Sequence, residues 1–145
     1  MTKVKGRARK FGDNIDTDTI TPARTVYFPV EELKQYAFEP IFPEFYKTVQ
    51  KGDIIVAGNN FGCGSSREQA TSVVKEFGIQ FIVCDSMARI YYRNCIAWGL
   101  YPVLSKGAGK LFSEGDEIEI DFEQGELKNL KTGKKRCLLH QNSQN

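Results

Sequence analysis

Three short apolar runs in this chain, Asp53–Ala57 (DIIVA), Ile79–Cys84 (IQFIVC) and Tyr101–Leu104, are separated by two stretches with helical spacing. The first, Ser66–Phe77, carries Ala70, Val73, Val74 and Phe77 on one face, and Gly78 follows as its C′ residue. The second, Met87–Trp98, is closed by Gly99. A strand–helix–strand–helix–strand series with connections this short predicts parallel strands joined by right-handed crossovers. Ile79–Cys84 is nearly continuous in apolarity, as expected of a strand buried on both faces.

Ligands of such sheets bind beyond the carboxyl ends of the strands. At that place the chain reads AGNNFGCGSSREQA, residues 57–70. Gly58, Gly62 and Gly64 permit positive φ and close approach of a ligand to the backbone. Ser65, Ser66 and Arg67 follow at the expected start of a helix, where exposed N–H groups attract an anion. Arg67 adds a bidentate donor for a carboxylate or phosphate. A local explanation competes: Ser65 or Ser66 as N-cap, with Glu68 or Gln69 closing a capping box. The spacing does not match a Walker loop, since no lysine follows Gly64, and Arg67 stands where a dinucleotide fingerprint needs glycine. A carboxylate ligand fits better than a polyphosphate.

The rest of the chain frames that loop. Residues 1–11 are basic and nearly alternating, which reads as a strand on a solvated edge rather than a nucleic-acid patch. Gly12-Asp13-Asn14 reads as a turn. Ile15–Arg24 packs two carboxylates and three threonines ahead of Arg24. It is either a string of Asx and Ser/Thr turns or a second polar wall, with Asp18 and Arg24 pointing into a cleft. Val30–Ala37 predicts a short amphipathic helix ended by Pro40 and Pro43. From Gly115 strict alternation sets in, broken by turns at Gly125 and Gly133, and predicts an antiparallel meander packed on the α/β part.

With 145 residues the chain is expected to form one domain spanning its length, with the polar stretch 140–145 as an unstructured tail. A net charge of +2 argues for neither nucleic acid nor a membrane surface. No stretch resembles a signal peptide or a membrane span, so a cytoplasmic protein is expected. The cysteines Cys63, Cys84, Cys95 and Cys137 form no CxxC pair, so neither a zinc knuckle nor a redox motif is indicated. Cys63 alone lies in the glycine loop, and a nucleophile there needs a basic partner. The single histidine, His140, lies in the tail. The chain thus offers no evident general base and no metal-ligand set. It either does no chemistry, as a carboxylate-binding module, or supplies half of a site.

The segments GDNIDTDTITPAR, GNNFGCGSSREQA and YYRNCIAWGL, in that order, make the chain resemble the small subunits of the isopropylmalate dehydratase group. These are the swivelling domain of the aconitase superfamily carried as a separate protein, and the similarity covers most of residues 6–122. The resemblance implies a swivelling β/β/α domain that docks on a large subunit bearing a [4Fe-4S] cluster, with no cofactor held by this chain itself. Together the two would dehydrate and rehydrate a small hydroxy-acid, shifting its hydroxyl to the neighbouring carbon. The resemblance makes Ser65 the base, gives Ser66 and Arg67 to the substrate, and matches Asp18 to the aspartate of the family's TD pair. Arg24, or Thr25–Phe28, falls where a specificity loop stands. Tyr27 and Phe28 suit a branched apolar substituent, hence isopropylmalate, with homocitrate and methylated malates as alternatives. A serine is a weak base, so its alkoxide needs N–H groups and a fixed cation. The leaving hydroxyl needs a Lewis acid, which the partner would bring. Self-association of the isolated chain, and the roles of Cys63, Arg93 and Asn94, stay open.

Overall fold

The computed structural model describes residues 3–139, so the expectations for the 140–145 tail and His140 lie outside the described residues. Its strands are β1 (Lys3–Lys10), β2 (Ile54–Ala57), β3 (Phe81–Cys84), β4 (Tyr101–Leu104), β5 (Glu117–Asp121), β6 (Glu126–Asn129) and β7 (Lys135–Cys137). They form one mixed sheet in the order β4-β3-β2-β1-β5-β6-β7. β1 to β4 pair in parallel and β1, β5, β6 and β7 antiparallel. The α/β and meander halves share β1 in one sheet, and the meander packs on the α/β part as expected, Ile118, Ile120 and Leu127 joining one core with Ile54, Val56, Phe81 and Val83. The sheet curls, and the Leu139 amide beyond β7 donates to the Leu104 carbonyl at the end of β4 (2.8 Å).

The basic N-terminus is thus no solvated edge. Its first residues lie opposite acids of β5: Lys3 with Asp121, Lys5 with Glu119 and Arg7 with Glu117. Opposite charges facing each other across two strands favour this register. Arg9 is 1% exposed. Its guanidinium pairs with Asp53 (3.2 Å) and Glu114 (2.9 Å), donates to Thr48 Oγ1 (2.7 Å), and stacks over Phe42 and Phe45. A charge this deep is tolerated because its donors are matched and its stem is packed.

Helices fill the sheet's connections: α1 (Thr17–Ile20), α2 (Val30–Leu33), α3 (Phe45–Thr48), α4 (Gln69–Glu76), α5 (Arg89–Trp98) and α6 (Ala108–Leu111). The helix expected over 30–37 is split, α2 giving way to a tighter 3-10 turn at Lys34–Tyr36. Side chains of β2 and β3 alternate between two cores. Ile55, Ala57, Ile82 and Cys84 meet α4 and α5, while Ile54, Val56, Phe81 and Val83 meet the meander and α6. Burial on both faces explains why these strands read as unbroken apolar runs. Gly78 and Gly99 take φ of +84° and +78° and end α4 and α5 as expected. Among the described residues no helix is long and apolar enough to cross a membrane.

Candidate active site

The carboxyl ends of β1, β2 and β3 lie side by side, and the glycine loop leaves β2 between the two neighbouring segments. On one flank the Gly62 amide donates to the Ile15 carbonyl (2.7 Å) and the Thr17 amide to the Cys63 carbonyl (2.8 Å). On the other, the Phe61 amide donates to Ser86 (3.1 Å) and the Ala88 amide to Phe61 (2.9 Å). Gly62 has φ of +80°, and a Cβ there would fall 2.2 Å from the Tyr91 ring. The glycine is thus required by packing against α5 as well as by its backbone angle. Tyr91 fixes the same corner through its hydroxyl, which donates to the Ala70 carbonyl at 2.7 Å. Burial, then the nearby Cys95, pushes its phenol well above the ordinary range, so it stays neutral.

A pocket of about 330 Å³ opens beside the loop, lined by Gly64, Ser65, Ser66 and Arg67 on one side of the sequence and by Ala88–Tyr91 and Asn94 of α5 on the other. Thr17 also lines it, and its hydroxyl donates to the Ser65 carbonyl at 2.8 Å. Ser65 and Ser66 are exposed. Neither hydroxyl has a hydrogen-bond partner among the described residues. The expected capping box does not form. α4 starts only at Gln69, its N-cap is Glu68, and no side chain caps it. The serines stay off the helix because Thr17 holds the Ser65 carbonyl and the Arg67 side chain turns back toward α1. The Arg67 Nη1 donates to the Thr21 carbonyl (2.9 Å) and lies 3.4 Å from Asp18 Oδ1.

Asp18 therefore reaches the pocket through Arg67. The same Oδ1 accepts the Ala23 amide at 3.0 Å. Asp and Thr turns also account for this segment: Asp16 caps α1 by accepting the Thr19 amide, and Thr25 Oγ1 donates to the Pro22 carbonyl. Arg24, expected to point into the cleft, is not brought into the pocket. Its guanidinium bonds Glu39 at 2.6 Å and lies over the Tyr36 ring. Arg89, at the first turn of α5, lines the pocket instead. Its place was available from topology, since it follows the carboxyl end of the strand next to β2. Of the two residues left open, Asn94 lines the pocket and Arg93 is exposed outside it.

No Asp, Glu or His lines the pocket among the described residues, and two arginines, Arg67 and Arg89, do. The site is cationic and presents free hydroxyls, the chemistry of a carboxylate receptor. Cys63 is half-buried, and its side chain does not line the pocket. Burial pushes the Cys84 thiol up, and the Cys95 thiol up to about 12, so neither is a nucleophile at neutral pH. An iron–sulfur cluster does not fit here, because among the described residues no three His, Cys, Asp or Glu side chains group to hold a metal.

The family profile for the aconitase C-terminal domain matches residues 2–107. The small subunit of the isopropylmalate/citramalate isomerase of Methanocaldococcus jannaschii is 52% identical over 131 residues, 90% of this chain and 78% of that protein. The methanogen homoaconitase small subunit of Methanothermobacter thermautotrophicus is 47% identical over 131 residues, 90% of this chain and 75% of that one. A crystal structure of 3-isopropylmalate dehydratase from M. jannaschii superposes with a TM-score of 0.88 at 41% identity, covering 94% of this chain and 81% of its own. The chain belongs to the aconitase C-terminal domain family, among the small subunits of its hydro-lyases.

Proposed function

We propose that this chain is the small subunit of a heteromeric 3-isopropylmalate dehydratase, which isomerises the substrate by dehydration and rehydration. The observation that carries the chemistry is the Ser65 hydroxyl, unpartnered and exposed on a backbone fixed from both flanks, in a pocket lined by two arginines. Ser65, as an alkoxide stabilised by that positive surround, takes the proton from the substrate carbon and returns it in the hydration step. Arg67 binds a substrate carboxylate with the donors that Thr21 and Asp18 leave free, and Ser66 hydrogen-bonds beside it. Asp18 acts as a positioning residue by holding Arg67. Arg24 joins the substrate-binding set only on release from Glu39. Departure of the hydroxyl calls for a Lewis acid, assigned here to a [4Fe-4S] cluster on the large subunit.

Relatives of similar identity carry names for isopropylmalate, citramalate and homoaconitate chemistry, so the substrate follows from local features. Tyr27 is 94% exposed, whereas Phe28 packs against Tyr36 with ring centroids 5.7 Å apart. An exposed aromatic ring in the expected specificity segment supports a branched apolar substituent over a further carboxylate. The test is reconstitution with a cluster-bearing large subunit and assay on isopropylmalate, citramalate and homocitrate. Isopropylmalate should give the highest kcat/KM. A clear preference for homocitrate would overturn the substrate, and no turnover of any of the three would overturn the proposal.

A further inference from the structure

The pocket carries more positive charge than one carboxylate uses. Arg67 is braced by Thr21 and Asp18. Arg89 lines the same pocket, is exposed, and has no hydrogen bond or ion pair from its side chain among the described residues. Its position is also unfavourable for the helix that bears it. Arg89 is the first residue of the ten-residue α5, where the helix dipole repels a cation. Ala88 offers no capping side chain, and the first turn carries no acid to offset the charge. A guanidinium placed against the dipole, without a protein partner, in a cavity that also holds Ser65 and Arg67, is matched to an anion that arrives with the ligand.

We propose that Arg89 anchors the second carboxylate of the substrate while Arg67 holds the first. The inference rests on the dicarboxylate reading above and deepens it by dividing the two charges between two elements, the glycine loop and α5. Two anchors converging from separate elements fix the orientation of a dicarboxylic acid, which one anchor cannot do.

The experiment measures equilibrium binding to the complex reconstituted with a cluster-bearing large subunit, in wild type, Arg89→Gln and Arg89→Lys. The probes are malate and its isosteres 2-hydroxybutyrate and 3-hydroxybutyrate, each with one carboxylate replaced by methyl. Wild type should prefer malate over both. Arg89→Gln should weaken malate about 10- to 100-fold and leave one isostere unchanged, the one lacking the carboxylate that Arg89 holds. Arg89→Lys should restore part of the loss. An unchanged malate affinity in Arg89→Gln overturns the proposal, as does equal weakening of all three probes. So does a change confined to the concentration of large subunit needed for assembly, or a wild type that does not prefer malate. Failure of the base assignment is read separately: Ser65→Ala removes no cation and should keep the malate preference while losing turnover.

Discussion

Ser65 and Arg67 are separated by one residue yet held by different neighbours, Ser65 through its carbonyl by Thr17 and Arg67 through its guanidinium by Thr21 and Asp18. Their substitutions should therefore fail differently. Ser65→Ala should lower kcat of the reconstituted enzyme by about 10²- to 10⁴-fold, the range for a lost general base, with KM little changed. Arg67→Lys should act chiefly on KM, since an ammonium cannot copy the planar fork. Asp18→Asn should show a milder form of the same KM defect. It should scarcely alter stability, because the carboxylate is 63% exposed and such pairs are worth at most about 1 kcal/mol. A reverse pattern, with Ser65→Ala raising KM at full kcat, would make the serine a binding group and not a base. Thiol labelling gives an independent check on the loop. Cys137 is exposed and Cys63 half-buried, so the reagent should reach them in that order, and Cys84 and Cys95 only on unfolding.

The glycine loop works because two neighbouring connections clamp it, and Gly62 is the tightest point of the clamp. Gly62→Ala would combine a left-handed backbone with a methyl group driven into the Tyr91 ring. The expected cost is roughly 2–5 kcal/mol, visible as a lowered denaturation midpoint and as lost activity in whatever fraction folds. The serines and Arg67 were legible in the chain because they are contiguous and sit after a strand with glycine punctuation. Arg89 is not contiguous with them and was legible only through topology, the parallel pairing of β2 with β3 bringing α5 to the loop. The helix start was misplaced for a related reason. Residues 66–68 have helix-compatible composition, but long-range bonds to α1 outbid the local capping box. In the same way Met87 is held by a bridge to Phe61, so α5 begins at Arg89 and not at Met87.

Across the entire sheet, β1 joins parallel to antiparallel pairing, and its charges are the structure's main buried electrostatic network. Asp53 is 3% exposed and accepts from Arg7, Arg9 and the Gln50 amide. Burial opposes its ionisation, but the hydrogen bonds from Arg7, Gln50 and Arg9 outweigh burial and hold its carboxyl below the usual range. Asp116 is lowered too, by the Ser113 amide first and then by the Asn129 side chain. A carboxyl depressed in the folded state contributes stability that is complete above its unfolded pKa of about 4 and is lost as pH falls through the folded value. Denaturant midpoints should show no pH dependence from these groups above about pH 5 and should fall steadily below about pH 4. Asp53→Asn should flatten that acid limb and, by leaving Arg9 short of a partner, cost roughly 3–5 kcal/mol at neutral pH. The basic alternation of residues 3–9 was visible in the chain. Its meaning was not, because most of the acids that answer it lie far along the chain, Glu114 being 105 residues on from Arg9 and the partners of Lys3, Lys5 and Arg7 farther still.

That distance also matters while the protein is being made. Residues 3–7 pair with residues 117–121, so β1 leaves the ribosome well before this partner is synthesised. Its other side can pair with residues 54–56 much sooner. A nascent chain halted between these two events would expose one bare strand margin carrying Lys3, Lys5 and Arg7. Repulsion between those cations would keep two unfinished chains from zipping together along it.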